Sequence, residues 1–362
     1  MVRALFFLNS FSGGGAEKVC LNLAKCLYAQ KIESDFVIIY DKKADYEIPS
    51  YIHILSLGLK DPFLTRLSII KQIPKVNAFI SGKEYVLITA HLYSAQYLAS
   101  LSKVRNKTLY VMHVTQHLKD NDNSFIYYLK LKRFLGGKHV VTVSNGLKDE
   151  LNKEYNIDAK NIVTIYNPCI LNSIEDEDKR ETLPPRPYIL FMGRLEKQKN
   201  PMLALELYYM GGFYKKYDLV FLGKGSLENS LKKRINEYNL ANHVFLIGFR
   251  KRPEWWLTNA SLLLSCSKYE GFAMNLVEAL LCGTPVVASD CAYGPNEILT
   301  DKLSDYLLYP EYDFSQCISI IASALDYYPD VEEKYYYRFD GNLILQIYLE
   351  KWKEYFGYSV IF

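Results

Sequence analysis

Short apolar runs alternate along the chain with segments whose apolar residues recur every three or four positions. Residues 2–9 are apolar and predict a buried strand, and residues 16–27 carry the helical period. Strands that alternate with helices are typical of a parallel, doubly wound sheet. In this half of the chain the same pattern predicts further strands at 35–40, 85–89, 108–113, 139–143 and 162–166.

A second alternating series begins after a break in the pattern. Asn167 and Pro168 give a turn signal, and the charged, Pro-rich stretch 172–187 predicts an exposed linker. Strands are then predicted at 188–192, 219–222, 244–247, 260–266 and 285–289. We therefore expect an α/β protein with domains at 1–168 and 169–341. A final helix within 342–362 is expected to pack back on the first domain.

Composition agrees with two soluble domains. The 362 residues are 49% hydrophobic and 23% charged, and no apolar run reaches the length of a membrane-spanning helix. Residues 1–168 contain 22 Lys and Arg but 14 Asp and Glu, whereas 169–362 contain 21 and 26. The basic first half predicts an anionic partner or membrane surface. No nucleic-acid motif is present, so nucleic acid is not an expected partner.

The seven cysteines are scattered and lack the spacing of metal or redox motifs. Free thiols in a reducing compartment, the cytoplasm, are the natural interpretation. The sequence likewise contains no pattern of metal ligands. We therefore predict no metal and no cofactor.

Two carboxylates stand out in residues 267–290. Glu270 follows the strand predicted at 260–266, and Glu278 lies about two turns into the next helix. Ligands bind at the carboxyl ends of strands in such sheets, and helix N-termini favour phosphate. The pair therefore suits a phosphorylated, polyhydroxylated ligand. The alternative is that both are ordinary exposed charges.

Other strand ends carry polar groups. Gly193, Arg194 and Lys199 follow the strand at 188–192, where the two cations could neutralise a diphosphate or could be plain surface charges. Gly14 and Gly15 join the first strand to a helix, an arrangement that can approach a phosphate but is also a common turn.

Three further segments have weaker signals. Phe249, after the strand at 244–247, could meet a nucleobase edge. His113 and His91 follow strands and could orient a hydroxyl, although structural roles are equally compatible, and His117 is predicted in a loop. Residues 125–135 predict a helix that touches a membrane interface or packs on the sheet.

Several motifs then coincide in order. EGFAMNLVE with ALLCGTPVVASD is the most specific, and SGGGAEKV, VVTVSNGLKDEL, IYNP, FMGRLEKQKN, FLGKGSLE, VFLIGF and YGPNEIL accompany it. Together they resemble the retaining glycosyltransferases of family 4 over roughly residues 8–300. That family has the GT-B fold, in which two Rossmann-like domains face a central cleft. The resemblance is slight between residues 40 and 110, as expected for a part of the family that recognises variable acceptors.

The resemblance implies a nucleotide-sugar donor that is held mainly by the second domain. A UDP-sugar is expected in preference to a GDP-sugar. Glu270 would contact sugar hydroxyls and Glu278 the ribose. Arg194 and Lys199 would stabilise the leaving diphosphate, and His113 would lie near the sugar. The catalytic set is thus Glu270, His113, Arg194 and Lys199. The other donor-binding positions are Gly14, Gly15, Gly193, Phe249, Gly271, Phe272, Ala273, Met274 and Glu278.

The expected activity is metal-independent, retaining transfer of a hexosyl or N-acetylhexosaminyl group to a glycan or lipid-linked acceptor. Bacterial lipopolysaccharide, capsule and related glycans are the implied products. The enzyme would be cytoplasmic, with peripheral contact at the inner face of the cytoplasmic membrane. A UDP-sugar epimerase of the same fold and a non-catalytic sugar-nucleotide binder remain alternatives. A NAD oxidoreductase is disfavoured because the first loop lacks G-x-G-x-x-G.

Overall fold

The computed structural model describes residues 2–12, 14–40, 42–59, 66–114, 124–153, 156–157, 162–309 and 313–357. The chain forms two compact units, one from residues 1–169 with 339–362 and the other from 170–338. The sequence predicts the first boundary one residue earlier, at 168/169. The return to the first unit comes before the predicted 341, because the Cys169 amide donates to the Phe339 carbonyl at 2.8 Å.

The first unit is built on a parallel sheet that has seven strands in the described residues, in the order β3-β2-β1-β4-β5-β6-β7. The strands are β1 (Arg3–Leu8), β2 (Glu33–Tyr40), β3 (Ile52–Leu59), β4 (Tyr85–His91), β5 (Leu109–Met112), β6 (His139–Thr142) and β7 (Ile162–Thr164). Its helices are α1 (Gly15–Ala29), α2 (Arg66–Ile70), α3 (Ile73–Ile80), α4 (Tyr93–Leu101), α5 (Ser124–Leu135) and α6 (Asn145–Lys153).

The second unit repeats the plan with six parallel strands in the order β10-β9-β8-β11-β12-β13. The strands are β8 (Tyr188–Met192), β9 (Asp218–Leu222), β10 (Val244–Leu246), β11 (Leu262–Ser265), β12 (Val286–Ser289) and β13 (Leu307–Leu308). Its helices are α7 (Pro201–Met210), α8 (Glu228–Glu237), α9 (Glu254–Thr258), α10 (Met274–Leu281), α11 (Pro295–Ile298) and α12 (Phe314–Asp326). The predicted α/β class with two doubly wound parallel sheets is confirmed.

Each sheet has a point where the strand order reverses. In the first unit β1 lies between β2 and β4, and in the second β8 lies between β9 and β11. Loops that leave the carboxyl ends of such a strand pair diverge to opposite faces, which opens a crevice for ligands. The loops after β8 and β11 contain Arg194 and Glu270, and the loop after β1 contains Gly14. The predicted site residues therefore sit at the positions that the topology favours.

The sequence pattern does not predict two of the strands, and a third strand is longer than predicted. The edge strand β3 and the two-residue β13 are absent from the predicted set. The strand predicted at 85–89 continues to His91 as β4, so His91 belongs to the sheet and not to the following loop. His91 is fully buried as a result.

The chain ends its described part with α13 (Gly341–Phe356), which packs against α1 and β4 of the first unit. Trp352 is 1% exposed there, and its indole N–H donates to the Lys107 carbonyl at 2.8 Å. The helix ends at Phe356 because Gly357 adopts the left-handed conformation, so it is shorter than the predicted 342–362. Residues 358–362 lie outside the described part. None of the described helices is long and apolar enough to cross a bilayer.

Candidate functional site

An ion pair joins the two loops that flank the reversal point of the second sheet. Lys199, after β8, donates to the carboxylate of Glu270, after β11. The Ser267 hydroxyl donates to the same oxygen, Glu270 Oε1, at 2.6 Å. Glu270 is only 6% exposed, so these partners provide hydrogen bonds that water cannot easily supply there. The structure thus brings together two residues that lie 71 positions apart.

Gln198 ties the same two loops together next to that ion pair. Its side-chain oxygen accepts from Arg194 at 2.7 Å, and its side-chain nitrogen donates to the Tyr269 carbonyl at 3.1 Å. Its backbone carbonyl also accepts from the Lys268 amide at 2.8 Å. Arg194 is exposed, so this amide group is what orients it in the described structure. Gln198 and Ser267 are absent from the predicted site.

The backbone of Glu270 is held from both sides by the loop after β12. Its amide donates to the Ala292 carbonyl at 2.9 Å, and its carbonyl accepts from Tyr293 at 3.0 Å. Gly294 lies so close that a Cβ there would meet the Phe272 backbone at 2.8 Å. The YGPNEI motif therefore has a local explanation, since its glycine lets the loop brace the Glu270 segment.

The helix N-terminus that follows is unusual. Ala273 precedes α10 with φ 61° and ψ 60°, a left-handed conformation that costs a non-glycine residue roughly 1–3 kcal/mol. Such backbone is concentrated at ligand-binding loops, and successive amides near a left-handed residue form anion-binding concavities. This observation supports the expectation that the amides of Phe272, Ala273 and Met274 meet the diphosphate of a donor, which stays a prediction.

Glu278 lies one turn into α10, since the helix begins at Met274, and not the predicted two turns. It is 5% exposed, which excludes the alternative of an exposed helix charge. In the first turn of α10, Asn275 donates its side-chain amide to the Met192 carbonyl at 3.1 Å. This contact fixes the start of α10 against the end of β8, immediately before Gly193.

The turns after β8, β9 and β10 stack on one another through their backbones. The Gly193 amide donates to Leu222 and the Gly223 amide to Gly248, each at 3.0 Å. A Cβ at Gly223 would lie 1.9 Å from the Gly193 carbonyl oxygen. The turns that contain Gly193, Gly223 and Gly248 are therefore one packed element. Phe249, which follows Gly248, is 38% exposed. Its predicted contact with a nucleobase edge stays a prediction.

In the first unit the loop after β1 lies against the first turn of α1, the helix that follows it. Gly15 begins α1, and a Cβ at Gly14 would lie 2.3 Å from a carboxylate oxygen of Glu17. The Tyr46 hydroxyl donates to the Gly14 carbonyl at 3.0 Å. A side chain at position 14 would therefore require the Glu17 carboxylate to move, whatever the loop binds. The predicted phosphate contact of Gly14 and Gly15 stays a prediction.

His91 and His113 are in direct contact. His91 Nδ1 lies 2.9 Å from His113 Nε2, and His91 Nε2 lies 2.9 Å from the Thr89 hydroxyl. Burial lowers the pKa of His113 to about 4, and burial with the neighbouring His113 lowers the pKa of His91 well below its ordinary value. Both rings are therefore neutral near pH 7. His117 lies outside the described residues.

The sequence predicts free thiols, and none of the cysteines in the described part of the chain forms a disulfide. Cys291 lies near Glu270 and Lys199, and burial raises its thiol pKa to about 12, with a further contribution from the Glu270 charge. It is therefore protonated and unreactive at neutral pH. The described residues contain no group of three His, Cys, Asp or Glu that could hold a metal ion. The expected metal independence stays a prediction.

The predicted interface helix 125–135 is observed as α5, Ser124–Leu135. Leu131 and Leu135 are buried, while Leu129 is 48% exposed. The side chains of residues 124–128 and 130 lie outside the described part. The predicted linker is exposed as expected but is anchored, since Arg252 pairs with Asp178 at 3.1 Å and Arg250 with Glu181 at 2.5 Å.

Comparison with known proteins finds two family models in tandem. Residues 13–172 match Glycosyltransferase Family 4, and residues 173–336 match Glycosyl transferases group 1. A Campylobacter jejuni relative is 28% identical over 83% of this chain and 84% of its own length. Its name is N-acetylgalactosamine-N,N'-diacetylbacillosaminyl-diphospho-undecaprenol 4-alpha-N-acetylgalactosaminyltransferase. A Staphylococcus aureus poly(ribitol-phosphate) alpha-N-acetylglucosaminyltransferase is 29% identical over 55% of this chain and 40% of its own.

Solved structures share the fold at low sequence identity. Anabaena HepE, crystallised with UDP and glucose, superposes with a TM-score of 0.73 at 18% identity, covering 96% of this chain and 98% of its own. Staphylococcus aureus TarM, crystallised with UDP and alpha-GlcNAc-glycerol among its ligands, gives 0.72 at 14% identity, covering 99% and 100%. At these identities the likeness establishes the fold alone.

Proposed function

We propose that this chain, which belongs to the glycosyltransferases of the GT-B fold, transfers a sugar from a nucleotide-sugar donor to a hydroxyl of a glycan or lipid-linked glycan. Its Family 4 region is followed by a group 1 region. A UDP-sugar is the preferred candidate for the donor. The acceptor would belong to bacterial surface polysaccharide synthesis. The donor would be held by the second unit.

The buried Lys199–Glu270 ion pair carries this proposal. A donor presents negative phosphates and sugar hydroxyls side by side, and the pair presents one cation and one hydrogen-bond acceptor side by side. Arg194 adds a second cation on the same loop, oriented by Gln198. The beginning of α10 adds backbone amides, and Glu278 adds a buried carboxylate for ribose hydroxyls. The chemistry of the site thus matches the diphosphate, the sugar and the ribose of a sugar nucleotide.

In the proposed reaction the bond between the anomeric carbon and the diphosphate oxygen breaks, and a bond from that carbon to the acceptor oxygen forms on the same face. The proton of the acceptor hydroxyl passes to a diphosphate oxygen. Lys199 and Arg194 stabilise the negative charge that develops on the leaving diphosphate, the task a divalent cation performs elsewhere. Retention and metal independence are both part of the proposal.

The names of two relatives support the proposed acceptor class. The Campylobacter jejuni protein is named for transfer to a diphospho-undecaprenol glycan, and a Salmonella typhimurium relative is named lipopolysaccharide 1,6-galactosyltransferase. We therefore place the acceptor among lipid-linked or lipopolysaccharide glycans. Under the same proposal, the enzyme acts on such acceptors at the inner face of the cytoplasmic membrane. The basic first unit makes the contact with the membrane surface.

Donor identity is tested first by thermal unfolding against UDP, GDP and a panel of their sugars. A ligand at 100 times its Kd stabilises the native state by about 2.7 kcal/mol, so the correct nucleotide raises Tm clearly. Lys199→Met should remove most of this rise. Lys197→Met, an exposed lysine two residues away, is the matched control and should keep it.

Transfer is tested with the selected donor and lipid-linked glycan acceptors, followed by NMR of the product. An alpha linkage from an alpha-linked donor, formed equally well in EDTA, is the expected result. Acceptor-independent conversion of one UDP-sugar into another would replace the proposal with an epimerase. Donor binding without release of nucleotide across the acceptor panel would favour the non-catalytic binder.

A further inference from the structure

A buried chain of three polar groups crosses from β4 to the end of β5. Thr89 and His91 are both fully buried, and successive groups are 2.9 Å apart: Thr89 Oγ1 to His91 Nε2, then His91 Nδ1 to His113 Nε2. His113 is partly exposed, and its Nδ1 makes no hydrogen bond to the described residues. One end of this chain of groups is therefore inside the sheet and the other is accessible.

The direction of the hydrogen bonds follows from the hydroxyl at the buried end. Thr89 lies in the sheet interior, paired with Phe6 on one side and Leu109 on the other. Among the described residues, His91 Nε2 is the hydrogen-bond partner of its hydroxyl. A hydroxyl that only accepted would leave its own proton buried without an acceptor, which is unfavourable. Thr89 therefore donates.

That direction determines both rings, since a neutral imidazole has one donor and one acceptor nitrogen. His91 accepts at Nε2, so it carries its proton on Nδ1 and donates to His113 Nε2. His113 must then carry its own proton on Nδ1. Burial lowers the pKa of both rings, which keeps each neutral and maintains this pattern at pH 7.

We propose that Thr89 and His91 are positioning residues that hold His113 as its Nδ1–H tautomer, so that this nitrogen donates a hydrogen bond to an oxygen of a sugar bound at the first unit. The substrate part rests on the proposed glycosyltransferase function, whereas the tautomer part does not. His113 would thus discriminate sugars by the presence of a hydroxyl or carbonyl oxygen at one position. It would not act as a proton carrier.

The backbone beside His91 supports a functional role for this place. Leu92 has φ 66° and ψ 148°, a region that bulky residues rarely adopt. It precedes α4, whose Ala95 amide donates to the Asn9 side chain at the end of β1 at 3.1 Å. Strained backbone persists where the surroundings impose it, and such positions concentrate at ligand sites.

The tautomer is tested by 15N NMR of the ligand-free full chain with labelled histidine. The chain has six histidines, and His113→Gln identifies the relevant signals. The expected result is a protonated Nδ1 and an unprotonated Nε2 for His113. Thr89→Val should convert this into a mixture, and Thr89→Ser should restore it. A His113 with its proton on Nε2, or a mixture in the wild type, would overturn the proposal.

The consequence for the substrate is tested by kinetics with the donor selected above. Thr89→Val should lower kcat/KM about tenfold, as expected for one misdirected hydrogen bond, and Thr89→Ser should recover it. In the His113→Ala background Thr89→Val should have no further effect, because the two act through the same contact. Additive losses would show that Thr89 acts by another route.

A buried threonine elsewhere in the same sheet provides a control that distinguishes the positioning role of Thr89 from simple packing. Thr142 on β6 is also fully buried, with its hydroxyl 3.3 Å from Thr164. Thr142→Val should leave kcat/KM and the His113 signals unchanged. Should no donor ever be turned over while the wild-type NMR shows Nδ1–H, the proposed function fails and the tautomer stands. Turnover with a His113 protonated on Nε2 would instead support the function and overturn the tautomer.

Discussion

Glu270 is a buried carboxylate that accepts from one ammonium group and one hydroxyl. In the described structure Lys199 and Ser267 both donate to its Oε1. In the proposed reaction a donor would recruit Lys199 to its diphosphate and would offer sugar hydroxyls to Glu270 in return. Donor binding would thus exchange the partners of Glu270 and leave its oxygens hydrogen-bonded.

Removing the cation tests this dependence. Lys199→Met leaves Glu270 buried beside Ser267 alone and should lower the unfolding free energy of the second unit by about 3 kcal/mol. Lys199→Met with Glu270→Gln should regain most of that loss while transfer stays absent. Hydrogen exchange of β11 peptides measures the change, with Lys197→Met as the control. Equal stability of Lys199→Met and wild type would show that Glu270 has other compensation.

The two histidines make the first unit sensitive to acid. Unfolded histidine has a pKa of about 6.5, whereas the pKa of His113 is about 4 and that of His91 is also lowered. The unfolded state therefore takes up protons first as the pH falls. Stability is complete above about pH 6.5 and declines toward pH 4.

Replacing both histidines should reduce that decline. Between pH 7.5 and 5, His91→Gln with His113→Gln should remove at least about 2 kcal/mol of the loss in unfolding free energy, which is the share of His113 alone. Hydrogen exchange of β4 and β5 peptides at the two pH values provides the measurement. A loss of the same size in both proteins would mean that other groups cause it.

Among the elements, the stacked turns after β8, β9 and β10 are the most sensitive to added volume. Gly223→Ala places a methyl group 1.9 Å from the Gly193 carbonyl oxygen, so the turns must separate. We expect a loss of about 2 kcal/mol or more and weaker donor binding, because Gly193 precedes Arg194.

A glycine with open space serves as the comparison for that variant. Gly283 has φ 73°, and a Cβ at this position would have nothing within 4 Å, so Gly283→Ala carries only the conformational cost of about 1 kcal/mol. It should leave nucleotide binding intact. Urea unfolding and the nucleotide thermal shift, measured on both variants, separate packing from conformation. Similar effects on donor binding would contradict the stacked-turn explanation.

Apolar runs and strand-end motifs predict most of the elements, because a buried parallel strand leaves a continuous apolar signature. The edge strand β3 lacks that signature, with Ile54 exposed, and β13 is too short to register. The extension of β4 to His91 escapes prediction because histidine is rarely a core residue. Pairing with Val111 on β5 outweighs that preference.

The site is predictable where the chemistry of single residues carries the signal, as for Glu270 and Lys199. Gln198 and Ser267 escape prediction because their importance comes from partners, and Gln198 meets Tyr269 across 71 positions of sequence. The relation of His91 to His113 is of the same kind. Spacing along the chain contains no information about such contacts until the sheet order is known.

At the scale of the whole molecule, α13 is a structural part of the first unit. Trp352 is almost fully buried, and Trp352→Ala should cost roughly 3–5 kcal/mol through the cavity and the lost contact to Lys107. Hydrogen exchange should quicken in peptides from the first unit, β1 and β4 among them. Peptides from β8 to β12 should be unchanged. Uniform quickening across the chain would mean that the units do not unfold separately.

The return of the chain to its first unit also bears on how the protein is made. Residues 170–338 form the second unit without interruption, whereas the first unit needs residues 339–356 to cover its sheet. At a synthesis rate of about 5–20 residues per second, the nascent first sheet waits roughly ten to forty seconds for its last helix. The first unit can therefore be completed only after the whole second unit has been synthesised.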